Sequence, residues 1–154
     1  MKLRTTVLLL VTFLVGATLC LAADLNLGSW KLNEAKSKID AGLPKNLTVQ
    51  YEAVGDSIKA TVDGVDGQGK PTHSEWTGKF DGKDYAVTGD ATSDTRSLKK
   101  IDDHTLELTN KKGGKVTITG KVVVAADGKS RTLTLSGTDA AGKKIQSTAV
   151  YDKQ

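Results

Sequence analysis

The sequence predicts an all-β protein, an antiparallel up-and-down barrel of about ten strands with a short helical turn after the first strand. Turn-forming Gly and Asp residues recur along the chain, as in Asp81-Gly82 and Asp127-Gly128. Short runs of alternating apolar and polar residues lie between these turns, and no long helical periodicity competes with them. Because Gly and Asp tolerate the positive dihedral angles of tight hairpins, the pattern is typical of an antiparallel meander.

Alternation is clear in several runs, and it places apolar residues on one face of each strand. Leu47, Val49 and Tyr51 share a face, and so do Leu133 and Leu135. The predicted strands cover residues 28–32, 46–53, 57–65, 72–80, 83–88, 95–101, 105–111, 115–125, 131–138 and 144–152. Such strands can also form a sandwich, but a barrel removes the exposed edges without long crossover connections, so we expect the barrel.

The segment 33–45 interrupts the alternation between the first two predicted strands. Asn33 is a suitable N-cap for a single helical turn over residues 35–39, which Gly42 and Pro44 would end. We expect this segment to form a short plug or lid.

The first 23 residues have the pattern of an export signal. Lys2 and Arg4 precede an apolar stretch over residues 7–21, and small residues follow it. We therefore expect residues 1–23 to be removed, residues 24–154 to form a single barrel domain, and the mature protein to lie in the periplasm or outside the cell.

Stable membrane anchoring is not expected. The apolar stretch is too short for a good membrane span. Cys20 follows Leu19, whereas a lipidated cysteine normally follows a small residue. Soluble export of a monomer is the prediction.

The charge pattern argues against nucleic acid as a partner. Without Lys2 and Arg4 the chain has 20 basic and 18 acidic residues, a net charge of +2. The positive charge is nearly all lysine and is dispersed among aspartates, whereas nucleic-acid binding usually needs a concentrated basic stripe with stacking aromatic residues.

Catalytic and metal motifs are not found in the sequence. The mature segment has no cysteine, and its histidines, His73 and His104, do not follow a ligand-spacing motif. His73 lies two residues from Glu75, but we expect both to face solvent. The prediction is a non-enzymatic protein without a metal or cofactor.

The stretch Gly28-Ser29-Trp30-Lys31-Leu32 resembles the Gly-x-Trp signature of the calycin superfamily, the lipocalins and fatty-acid-binding proteins. The pieces over residues 97–106 and 150–153 are similar to the fatty-acid-binding branch, and the chain also resembles small exported bacterial lipocalin-like proteins. The resemblance implies that Trp30 plugs one end of a barrel whose interior holds a small hydrophobic or amphipathic ligand.

Three departures concern the lid and the ligand. The segment 33–45 is too short for the helix-turn-helix lid of the fatty-acid-binding family. That family's Arg-x-Tyr carboxylate clamp corresponds here to Ala149-Val150-Tyr151, so the tyrosine matches and the arginine does not. No arginine follows Tyr151 to stack on Trp30, as a lipocalin's usually does, and only Lys153 is available.

Tyr151 and Trp76 are candidate ligand contacts. Tyr151 shares a face with the small residues Ser147 and Ala149, which would leave room for its phenol to donate to a ligand head group. The alternative is that Tyr151 simply fills the interior. Trp76 shares a face with Phe80 and is most simply a core residue, although an apolar ligand would also contact it there.

Arg131 and Arg96 are the remaining candidates. Arg131 has the parity of Leu133 and Leu135, so strict alternation directs it inward, where it would replace the missing clamp arginine. It also follows a turn directly, where a long side chain reaches water from the rim, and rim exposure is the favoured prediction. Arg96 shares parity with Leu98 and has the same two alternatives.

Two functions of different classes remain open, with an unrecognised enzyme as a weaker third alternative. The first is an exported, non-enzymatic barrel that binds an apolar or amphipathic molecule inside, where small residues such as Ala60 and Gly120 would leave space. The second is a ligand-free interaction or structural module of the cell envelope or secretome. Fold resemblance does not choose between them.

Overall fold

The computed structural model describes residues 24–40, 43–138 and 142–154, and the predicted signal segment lies outside them. The described residues contain eleven strands and a 3-10 helix, Glu34–Lys36. The strands are β1 (Gly28–Leu32), β2 (Lys38–Ile39), β3 (Lys45–Val54), β4 (Ser57–Val65), β5 (Pro71–Gly78), β6 (Tyr85–Thr88), β7 (Thr95–Lys100), β8 (Thr105–Lys112), β9 (Lys115–Val124), β10 (Ser130–Thr138) and β11 (Lys144–Lys153).

Ten of these strands close into an antiparallel barrel. β1 pairs with β3, each strand from β3 to β11 pairs with the next, and β11 pairs back to β1. The predicted fold class is therefore confirmed. Among the described residues no helix has the length and apolar composition of a membrane span.

The connection after β1 differs from the prediction. Asn33 caps the 3-10 helix, since its side-chain oxygen accepts a hydrogen bond from the backbone nitrogen of Lys36 at 3.2 Å. The helix covers only residues 34–36, and the chain then extends into β2, which pairs with β11 through Lys38 and Ile39. The prediction of a turn through residue 39 is wrong because β11 continues past β1 and offers free backbone groups that β2 satisfies.

Ser37 joins the two pairings along β11. Its hydroxyl donates to the backbone oxygen of Asn33 at 2.7 Å and accepts from the backbone nitrogen of Val150 at 2.9 Å. This contact holds the segment between β1 and β2 against the last strand.

Interior side chains of β9, β10 and β11 lie in rows, because paired residues of neighbouring strands share a face. From the end that holds Trp30, which we call the floor, the rows are row 1 (Val124, Arg131, Tyr151), row 2 (Val122, Leu133, Ala149), row 3 (Gly120, Leu135, Ser147) and row 4 (Ile118, Gly137, Ile145).

The floor and the inner face of β10 are packed differently. Trp30, Tyr151 and Leu106 near the floor are almost completely buried. Leu133 and Leu135 face inward but are only partly buried. The floor is therefore tightly closed, whereas the inner face of β10 is only partly covered.

Candidate ligand site inside the barrel

Trp30 closes the floor together with the turn that precedes β1. Its side chain is fully buried, and its indole nitrogen donates to the backbone oxygen of Asn26 at 2.9 Å. Asp24 fixes that turn, because its carboxylate accepts from both the backbone and side-chain nitrogens of Asn26, at 2.9 and 3.0 Å. The N-terminal turn thus covers this end of the barrel.

Arg131 lies inside the barrel, so the favoured prediction of rim exposure is wrong. Only 4% of the residue is exposed. Its guanidinium carbon lies 4.7 Å from the ring centroid of Trp30, 5.1 Å from that of Tyr51 and 5.2 Å from that of Tyr151. The covered floor blocks the path to water, and the three aromatic rings offset part of the desolvation of the cation.

No ion pair neutralises Arg131 within the described part of the chain. Its Nε and Nη1 atoms are buried and have no hydrogen-bond partner there. Burial lowers the pKa of Arg131, and the phenols of Tyr51 and Tyr151 act in the opposite direction. Because a guanidinium stays protonated in proteins, the floor holds an uncompensated positive charge.

Tyr151 responds to the same surroundings. It is 1% exposed and pairs with Arg131 across β10 and β11. Burial raises the pKa of Tyr151 to about 12, with the positive charge of Arg131 opposing the shift. The phenol is therefore neutral at ordinary pH and remains a potential hydrogen-bond donor.

Lys153 is the second cation on the Trp30 ring. Its ammonium nitrogen lies 5.0 Å from the indole centroid and donates to the backbone oxygen of Leu25 at 3.3 Å. Lys153 is therefore the cation that the last strand places on Trp30, where a lipocalin usually has an arginine. Arg131 reaches the same ring from β10, a contact that the sequence did not indicate.

Ser147 is another polar group inside the wall. It belongs to row 3, is 7% exposed, and its hydroxyl has no hydrogen-bond partner among the described residues. Row 2, between Ser147 and Arg131, contains only apolar side chains.

Arg96 lies at the end opposite the floor and is compensated. Its side chain is 12% exposed, and its Nη2 lies 3.3 Å from a carboxylate oxygen of Asp90. Its Nε donates to the side-chain oxygen of Asn110 at 2.9 Å. The interior alternative for Arg96 is the observed one, and its donors are engaged by the protein.

Asp90 is held ionised by its neighbours. Burial alone would raise the pKa of Asp90, but hydrogen bonds from Ser93 and Thr92 and the charge of Arg96 bring it below its usual value. The ion pair therefore persists at neutral pH and closes the loop between β6 and β7.

Trp76 belongs to an aromatic cluster in the core. It is 1% exposed, stacks on Phe80 with centroids 6.5 Å apart, and meets Tyr85 edge-on at 5.9 Å. Its indole nitrogen donates to the backbone oxygen of Arg96 at 3.0 Å. These contacts satisfy Trp76 within the protein itself.

His73 and Glu75 lie on the outer wall. His73 Nδ1 is 2.6 Å from Asp63, and Glu75 is 2.7 Å from Lys59, with all four side chains open to solvent. The described residues contain no cluster of His, Cys, Asp or Glu suited to a metal ion.

Two shallow grooves lie on the outside of the barrel, with volumes of about 450 and 490 Å³. Thr119 and Ser136 line both grooves, so they adjoin. The remaining lining is mostly hydroxyl-bearing or charged, which makes this a polar surface rather than an apolar ligand pocket.

The aromatic surroundings of Arg131 were only partly visible in the sequence. Alternation placed Tyr51 and Arg131 on inward faces, but β3 and β10 are not neighbours in the sheet. A contact across the interior has no local sequence signal, and the same holds for the orphan hydroxyl of Ser147.

Comparisons with known proteins show the following. No protein-family model and no curated protein matches the sequence. Among solved structures, the chain is similar to EF1p2_mFAP2b bound to DFHBI, with 13% identity, a TM-score of 0.49, and coverage of 86% of this chain and 97% of that one. It is also similar to a redesigned beta barrel, b11L5F_LGL, with 14% identity, a TM-score of 0.48, and coverage of 88% and 97%. Likeness at this level carries no inference about function, and membership of the calycin superfamily stays a prediction.

Proposed function

We propose that the protein is a non-enzymatic, exported barrel that binds a small amphipathic molecule in its interior. The negatively charged head group of the ligand lies at the floor beside Arg131 and Tyr151. Its apolar chain runs past rows 2 to 4 toward the opposite end. The binding takes place in the periplasm or outside the cell.

The single observation that carries this proposal is the uncompensated charge of Arg131. A buried cation without an anionic partner is costly, and natural proteins usually pair such a group. The contrast with Arg96, which has Asp90, shows that this chain does pair a buried arginine elsewhere. An anionic head group would supply the partner that Arg131 lacks.

The interior above the floor suits an apolar chain. Leu133, Leu135 and Ile118 face inward and remain partly exposed. The prediction that Gly120 leaves free space is wrong, because the Leu135 side chain fills it, with Cδ2 2.5 Å from where a Cβ of residue 120 would lie. Partly exposed apolar side chains inside a barrel gain free energy when a ligand covers them.

Matched ligands test the proposal. The mature protein, purified without denaturation, is examined by native mass spectrometry, and displacement of a fluorescent fatty-acid probe is measured with an alkyl carboxylate and the alkanol of equal length. We expect the carboxylate to compete at least tenfold better, because only it pairs with Arg131. In Arg131→Met the two should compete within about twofold of each other.

Two results would overturn the proposal. One is the absence of any bound or displaceable amphiphile in the unaltered protein. The other is an Arg131→Met variant that keeps the full preference for the carboxylate. The Lys121→Met variant, which changes a cation on the outer wall, is the matched control and should behave like the unaltered protein.

A second candidate function rests on the outer grooves. Their polar lining, including Thr109, Thr134 and Lys121, would suit a ligand-free module that contacts a protein or an envelope polymer. Substitution of Thr119 and Ser136 by Val would then abolish co-sedimentation with envelope material, whereas Arg131→Met would not. The opposite pattern would support the interior site.

A further inference from the structure

We infer that Ser147 selects the ligand, which carries a second hydrogen-bonding group partway along its apolar chain. The inference rests on the proposed function, because it concerns the same interior site. It names the ligand class more closely: an anionic amphiphile with a hydroxyl or carbonyl group in its chain.

The hydroxyl of Ser147 is an orphan in the described structure. It has one hydrogen to donate and two lone pairs to accept with, yet no partner meets it. Its cross-strand neighbours are Leu135 on β10 and Ile39 on β2, and neither side chain has a polar atom. Buried polar groups are normally satisfied, so an orphan at this position calls for a partner from outside the chain.

Strand geometry gives the spacing between the unpartnered groups of Arg131 and Ser147. Tyr151, which pairs with Arg131, lies four residues beyond Ser147 on β11. At about 3.3 Å per residue, rows 1 and 3 are separated by roughly 13 Å along the strand. A ligand that satisfies both has its anion and its second polar group separated by a similar distance.

Row 2 defines what lies between these groups. Val122, Leu133 and Ala149 form an apolar band across the three strands. In row 3 the Leu135 side chain fills the position beside Gly120, so Ser147 supplies the polar group of that row. From the floor upward, the wall is therefore polar in row 1, apolar in row 2 and polar in row 3. An unsubstituted alkyl chain would leave the hydroxyl of Ser147 without a hydrogen-bond partner.

A series of hydroxylated ligands tests the inference. Isothermal titration calorimetry is carried out with alkyl carboxylates of one length in which the hydroxyl is moved along the chain one carbon at a time. We expect one mid-chain position to bind roughly five- to tenfold tighter than the unsubstituted carboxylate, which is the worth of one net hydrogen bond. Ser147→Ala should remove this preference and bind the unsubstituted carboxylate within about twofold of the unaltered protein.

Moving the hydroxyl within the wall gives a stricter test. The double variant Ser147→Ala, Ala149→Ser transfers it from row 3 to row 2, about 7 Å closer to Arg131. The preferred hydroxyl position on the ligand should shift toward the carboxylate. An unshifted optimum would overturn the inference.

The melting temperature shows whether the hydroxyl of Ser147 has a structural role. Since an orphan hydroxyl contributes no hydrogen bond, the ligand-free Ser147→Ala variant should melt at the same temperature as the unaltered protein or higher. A lower melting temperature would contradict the inference, because it would mean that the hydroxyl has a partner within the protein.

The inference and the proposed function fail in different ways. If carboxylates bind through Arg131 but the hydroxyl position has no effect, Ser147 does not select and only the inference is lost. If no carboxylate binds the unaltered protein, both are overturned.

Discussion

Two interior arginines at opposite ends of the barrel have opposite surroundings. Arg96 has a carboxylate from Asp90 and an amide oxygen from Asn110. Arg131 has the faces of three aromatic rings and, within the described residues, no anion. Both occupy inward positions of their strands, so alternation alone does not separate them.

The surroundings of each buried arginine decide its role. Arg96 is satisfied by the protein, and its ion pair closes a loop, so its role is structural. Arg131 is shielded but not neutralised, because the aromatic rings attract the cation and the phenol of Tyr51 hydrogen-bonds to it, but neither supplies a negative charge. An anionic ligand can neutralise a cation that is shielded in this way.

The largest effect should come from breaking the floor. Trp30→Ala removes the ring that both Arg131 and Lys153 contact, and we expect the free energy of unfolding to fall by about 3 to 5 kcal/mol. Chemical denaturation measures it. Ile101→Ala, near the same end but 48% exposed, is the control and should change the value by less than about 0.5 kcal/mol. Unchanged stability of Trp30→Ala would mean that the floor is not held by its indole.

The same substitution should change the stability of the protein differently at the two arginines. Arg96→Met leaves Asp90 buried without its cation, and we expect a loss of about 3 kcal/mol. Arg131→Met leaves no anion behind, so the ligand-free protein should keep its stability within about 1 kcal/mol or gain some. Thermal and urea unfolding of both variants check this. Equal losses would show that the charge of Arg131 is neutralised within the protein.

Local patterns predicted most of the wall but not the pairing of charges across it. β1 and β4 begin and end where alternation and turn residues indicate, whereas β2 has two residues and depends on a free stretch of β11. Parity placed Arg131 inward, yet the position after a turn argued for the rim. The covered floor is what keeps Arg131 inside the barrel. Asp24 and Trp30 form this floor from the other end of the chain, so the residues next to Arg131 in the sequence do not predict it.

The floor should also weaken at high pH because of Tyr151. Its pKa is about 12 in the folded protein and about 10 in an unfolded chain. The folded state holds this proton more tightly, so the contribution is complete below pH 10 and is lost as pH rises from 10 to 12. We expect a loss of roughly 2 to 3 kcal/mol that Tyr151→Phe does not show, measured as the difference between the two urea midpoints at each pH.

A steep loss in Tyr151→Phe equal to that of the unaltered protein would assign the pH dependence to other groups, such as the lysines. The phenylalanine variant should otherwise fold normally. It should bind a polar head group more weakly, since the phenol that can donate beside Arg131 is gone.

The smallest effect should come from charges on the outer wall. His73 lies 2.6 Å from Asp63, but both side chains are more than half exposed, at 58% and 57%. Water and salt screen such a pair, so His73→Ala should change the free energy of unfolding by no more than about 0.5 kcal/mol. Urea denaturation at low and high salt measures it. A loss comparable to that of Arg96→Met would show that proximity alone sets the contribution of a charge pair to stability. A small loss would show that burial sets it. The distinct role of Arg131 rests on this second outcome.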